Sequence, residues 1–92
     1  MSEISITRKH KLTAKKARVA AEKVAADLRE EFGLDYAWDE DGVLHFERTG
    51  LHGQLRLTRG QVSVHVRLGF LLIPFRAALE REIHEYFDQR FA

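Results

Sequence analysis

The chain has 92 residues, 45% hydrophobic and 32% charged, with a formal net charge of +1. That length suits one domain over residues 1–92, since half of it would bury too little surface to stand alone. The absence of cysteine excludes a disulfide framework, a thiolate zinc site and a cysteine nucleophile, and the opening "MSEISITRKH", with Glu3 and no long apolar core, is unlike a secretory leader, so a cytoplasmic protein is expected.

The first predicted element is a half-buried strand in "SEISIT", where Ile4 and Ile6 alternate with polar residues. Thr13 is a suitable N-cap for a helix over "AKKARVAAEKVAADLREEF", and Gly33 a suitable terminator. Ala17, Ala20, Val24, Leu28 and Phe32 share its apolar face, with Ala21 beside it, so the helix is narrow enough to approach a sheet closely. Its charges oppose the macrodipole: Lys15, Lys16 and Arg18 stand at the start, Glu30 and Glu31 at the end, each costing about 0.3–1 kcal/mol where exposed. An anion or an acidic neighbour at the basic end would offset that cost. The imbalance extends beyond the helix. Residues 1–23 hold seven Lys or Arg against two acids, and residues 24–50 hold eight acids against two arginines. Such polarity can orient the protein toward an anionic partner or pair one subunit with another.

Four strands follow, separated by Asp41-Gly42, Thr49-Gly50 and Arg59-Gly60. Two-residue turns at the last two set a register in which Phe46 faces Gly53, Gly53 faces Val66, Leu44, Leu55 and Val64 stack, and Leu57 meets Val62. A slip of one residue would turn an apolar set outward, which supports this pairing. The opposite face then displays Val43, His45, Glu47, His52, Gln54, Arg56, Thr58, Ser63, His65 and Arg67. In its rows His45, Gln54 and His65 lie side by side, as do Glu47, His52 and Arg67.

The run "LGFLLIPF" is the longest apolar stretch. At eight residues it is far short of the roughly 20 needed to span a bilayer, so no transmembrane segment is expected. Leu68 closes the last strand, Gly69 allows a bend, and a final helix is expected to start at Pro74, with Phe75, Leu79, Ile83, Phe87 and Phe91 on one face. Part of Phe70–Ile73 would be buried at the edge of the core, leaving the rest for a partner. The predicted fold is α+β: two layers, order β-α-β-β-β-β-α, a mainly antiparallel sheet with both helices on one face.

Chemistry is sparse. His45 and His65 lie two strands apart, about 9.5 Å, against metal–nitrogen bonds of about 2 Å, and no adjacent Asp or Cys completes a shell, so neither a metal nor a cofactor is expected. Glu47 beside His52 can tune a histidine, yet an exposed charge network has the same sequence. His10 has no evident base or pocket around it, no serine sits in a nucleophile elbow, and an enzyme is not expected. The candidate ligand face is His45, His52, Arg56, His65 and Arg67, of which His52, Arg56 and Arg67 converge only if the sheet curves around a small anion. The candidate interaction residues are Arg8, Lys9, Lys11, Lys15, Lys16 and Arg18 at the basic helix start, with Phe70, Leu71 and Leu72 at the apolar junction. Nucleic acid is not the expected partner, because the acidic middle opposes a broad cationic footprint and the open sheet face has no stacking aromatics. Phe46, Trp38, Phe75 and Phe87 read as core.

The segments "HKLTAKKAR", "LHFERTGLHGQL" and "VRLGFLLIPF", in this order and spacing, resemble the polyhydroxyalkanoic acid system protein family, also called the polyhydroxyalkanoate granule regulatory family. The resemblance runs from Ile4 to about Phe91. It implies a role at or near storage granules, beside polyhydroxyalkanoate biosynthesis, and brings no catalytic residue with it. The implied partners are a granule surface or a granule-associated protein. A homo-oligomer sharing the apolar junction is the alternative. The long alanine-rich heptad sequence of granule-coating phasins is missing.

Overall fold

Thr13 opens the first helix as its side chain foretells. The computed structural model describes residues 2–91, in which strand β1 (Ser2–Lys9) leads to helix α1 (Ala14–Phe32). Thr13 has extended backbone, and its Oγ1 accepts from the Lys16 amide at 3.2 Å, satisfying one of the free donors of the first turn. At the far end Gly33 turns left-handed at φ 69° and donates to the Arg29 carbonyl at 2.9 Å. Thr13→Ala should cost about 1 kcal/mol, read as a lower urea midpoint with an unchanged slope.

Strands β2 (Asp35–Trp38), β3 (Leu44–Arg48), β4 (Leu51–Thr58) and β5 (Gln61–Leu68) follow. The sheet order is β1-β5-β4-β3-β2, with every pair antiparallel. The observed register is the expected one: Phe46, Gly53 and Val66 share a row, as do Leu44, Leu55 and Val64, and Leu57 meets Val62. Strand β1 adds Ile4 and Ile6 to these rows by pairing with β5. In the first row Gly53 lies beneath the Phe46 ring so closely that a Cβ there would stand 2.4 Å from two ring carbons.

Two local expectations are corrected. Val43 does not join the polar sheet face; it is buried in the β2–β3 turn, where the Asp39 carboxylate accepts from its amide and its carbonyl accepts from Asp39 N–H. The final α-helix does not start at Pro74. Residues Phe70–Phe75 form a 3₁₀ turn and α2 runs over Arg76–Arg90. Leu79, Ile83, Phe87 and Phe91 are buried, but Phe75, with φ −94° and ψ 0°, departs from the helical path and is 59% exposed.

Both helices cover one sheet face, α1 over β4 and β2, α2 beside α1 and against β1. The core between them is wholly apolar, and among the described residues no polar side chain is buried as a whole. Ion pairs fasten its margins: Arg90 grips Asp27 of α1 through two bonds of 3.0 Å, and Arg8 of β1 reaches Asp88 of α2. Arg76 donates twice to the Glu3 carbonyl, at 3.2 and 3.0 Å, covering the outer edge of β1.

Candidate functional site

The 3₁₀ turn is held to the rim of the sheet by its flanks. Gly69 donates to the Gly50 carbonyl at 2.7 Å, and Leu72 donates back to Gly69 at 3.0 Å. Gly69 packs so near the Gly50 backbone that a Cβ there would lie 3.4 Å from that carbonyl oxygen, and the Leu72 side chain leans on Gly50 from the other side. With Leu72 turned in and partly buried, its neighbours must face out: Phe70 is 82% exposed and Leu71 79%, with Ile73 and Phe75 also in solvent. A groove of about 310 Å³ opens beside them, floored by Phe32, Leu51, Leu68, Leu72, Phe75 and Leu79 and including Glu31 and Arg48. Arg48 donates to the Phe32 carbonyl at the C-terminal end of α1, where a cation is favoured.

The basic candidates divide. Arg8 is engaged by Asp88, and the Arg18 guanidinium lies 4.1 Å from the centre of the Trp38 ring, so both belong to intramolecular packing. Lys9, Lys11, Lys15 and Lys16 are exposed, and among the described residues no carboxylate pairs with them. They stand at the opposite end of the molecule from the apolar turn: Lys9 faces Gln61 at the start of β5, whereas the turn follows Leu68 at its end, about 24 Å along the strand.

On the polar sheet face the histidines enter separate pairs. His45 Nε2 meets Asp39 at 2.7 Å, His52 Nδ1 meets Glu47 at 3.3 Å, and His65 bonds Glu3 through Nε2 at 2.8 Å and Ser5 through Nδ1 at 2.9 Å. The Val43 amide first, and the His45 ring next, hold the Asp39 carboxyl below its usual range. Asp39 stands beside His45 without a third ligand for it among the described residues, and Glu3 and Ser5 reach His65 because β1 lies against β5. The His45 and His52 rings approach to 5.8 Å. Among the described residues no three His, Cys, Asp or Glu side chains gather as a metal would need. Arg56 bonds Gln54 and Arg67 projects into solvent; the cavity on this face, about 150 Å³, is lined by Asp35, Tyr36, Ala37, His45 and Glu47 and by none of His52, Arg56 or Arg67.

His10 has more structure around it than its sequence shows. Its Nδ1 accepts from the Leu12 amide at 3.1 Å, its ring packs 5.3 Å from that of Phe91, and it borders a cavity of about 470 Å³ with Leu57, Thr58 and Arg59. No base stands beside Nε2, which is buried and unpartnered among the described residues.

These features define a two-layer α+β domain with an exposed apolar turn at one end and, at the other, a lysine cluster that no carboxylate pairs among the described residues. The chain belongs to the family described as "Putative polyhydroxyalkanoic acid system protein", which it matches over residues 4–91. This membership associates it with the polyhydroxyalkanoate granule system. No curated protein and no solved structure matches it. Among the described residues no helix is long and apolar enough to cross a membrane.

Proposed function

We propose that the protein is a noncatalytic adaptor or regulatory protein that docks on the polyhydroxyalkanoate granule, in the cytoplasm, through the apolar turn Phe70–Phe75. The observation that carries this reading is the exposure of Phe70 and Leu71, at 82% and 79%, on a turn pinned by hydrogen bonds at Gly69 and Gly50. Full burial of one such side chain stabilises by about 1.5–3 kcal/mol, so a domain that holds two of them in water forgoes stability that contact with an apolar surface restores. The groove beside the turn extends the same apolar area.

The test is co-sedimentation with washed native granules and with protein-free polymer particles. Wild-type protein should pellet with native granules, and Leu71→Asp should weaken that binding at least tenfold while leaving the circular dichroism spectrum and the thermal midpoint unchanged, because Leu71 makes little contact with the core. Pelleting with native granules alone assigns the contact to a granule protein, and pelleting with both assigns it to the polymer. Binding to neither removes the proposal.

A further inference from the structure

The outer face of α1 carries a charge pattern of its own. Lys16, Val19, Lys23, Ala26 and Glu30 recur every three or four residues and are all exposed, with Lys15 and Glu31 alongside. This stripe faces away from the sheet, is basic at its start and acidic at its end, and has small or apolar residues between. Beside its basic half a groove of about 520 Å³ opens toward α2, floored by Leu12, Val19 and Ala20 and edged by Lys15, Lys16 and Lys23 and by Gln89 and Arg90, whose guanidinium is engaged by Asp27. Val19 is half exposed there. At the acidic end Glu31 accepts from the Tyr86 hydroxyl, and partial desolvation, reinforced by Glu82, Glu85 and Asp27, raises its carboxyl above the usual range. Each half is thus an uncompensated cluster, and each is placed at the end of the helix where the macrodipole disfavours it.

We infer that α1 is a self-association surface: two copies pair this helix antiparallel about Lys23, so that Lys15 and Lys16 of each meet Glu31 and Glu30 of the other. The spacing supports it, because inverting the sequence about residue 23 carries 15 onto 31, 16 onto 30 and 19 onto 27, placing Val19 beside Ala26 and Asp27 of the second copy. Over the about 21 Å between Lys16 and Glu30, both ends match in one arrangement. A foreign acidic partner would satisfy the lysines and leave Glu30 and Glu31 as they are. A two-fold pair satisfies both ends with the same patch, as an isologous interface requires. Only Lys23 meets its own counterpart near the axis, and its long stem lets the ammonium turn toward the acidic half. Phe70 and Leu71 lie outside this surface; of its charged residues only Glu31 also borders the groove beside the apolar turn.

Sedimentation velocity of the purified 10.7 kDa chain at tens of micromolar tests it. Dimer is expected at about 20 mM salt, with association weakened at least tenfold at about 500 mM, where exposed charge pairs are screened. The double variants Lys15→Glu/Lys16→Glu and Glu30→Lys/Glu31→Lys should each be monomeric, and an equimolar mixture of them should form a heterodimer. Each swap also aligns its charges with the helix dipole, so loss of the dimer should come with an unchanged or higher thermal midpoint, which separates it from unfolding. Lys23→Gln should tighten the dimer by removing the like charges at the axis. A wild-type monomer at low salt, dimeric swap variants, a mixture that stays monomeric, or a weaker Lys23→Gln dimer would each overturn the inference.

Discussion

Gly53→Ala is expected to destabilise the domain by about 3 kcal/mol, the upper end of what one inserted methyl costs in a packed core. The new Cβ would stand 2.4 Å from two carbons of the Phe46 ring, with Val66 Cγ2 at 3.4 Å. Real Cβ contacts do not come so close, so something must move. Phe46 is 1% exposed under the helices and β4 is held on both sides by β3 and β5, which leaves neither ring nor strand free to yield. Trimming the ring to Leu in a Phe46→Leu/Gly53→Ala double variant should recover part of the loss, giving a coupling of at least about 1 kcal/mol in a double-mutant cycle by urea denaturation. Additive losses would show that the ring over this glycine is not what forbids a side chain there.

Phe87→Ala should cost about 3–5 kcal/mol, as expected for an aromatic removed from a closed site. Phe87 has no exposed surface, packs edge-on against Phe91 at 5.5 Å, and with Leu79 and Ile83 forms the buried face of α2. Small domains have only about 5–15 kcal/mol in total, so this variant should lose a large share of its stability, read as a strongly lowered urea midpoint. Phe75→Ala is the control: at 59% exposure it should cost about 1 kcal/mol, well below the loss at Phe87. Comparable midpoints for the two variants would contradict the departure of the 3₁₀ turn from the α2 face.

The contrast between these phenylalanines marks where the sequence stops being legible. The β3-β4-β5 register was readable in full, because two-residue turns at Thr49-Gly50 and Arg59-Gly60 leave little freedom and period-two alternation penalises any slip. The caps of α1 were readable for the same local reason. Phe75 was not, since its four-residue spacing from Leu79 assumes an α-helix where the backbone makes a tighter turn. Val43 was misplaced because alternation was carried back past the start of β3 into a turn closed by Asp39. Contacts made by distant segments left no local trace: Glu3 on His65, Arg18 over Trp38 and Asp27 on Arg90 depend on tertiary placement. At the apolar turn, composition identified the candidate, but exposure was decided by the Gly69–Gly50 hydrogen bond, which directs Leu72 inward and Phe70 and Leu71 outward.

The pairing of β1 with β5 joins Ser2 to Leu68 and Lys9 to Gln61, so β1 finds its partner in a strand more than fifty residues further along the chain. The three hairpins from β2 to β5 close short loops and can form early, whereas docking of β1 closes a loop of more than fifty residues and comes late. Until then β5 is an open edge bearing Val62, Val64, Val66 and Leu68, able to capture the same strand from a neighbouring chain. Exchange of β1 between neighbouring chains is therefore the expected misfolding route, and faster closure of β1 on its own sheet should suppress it.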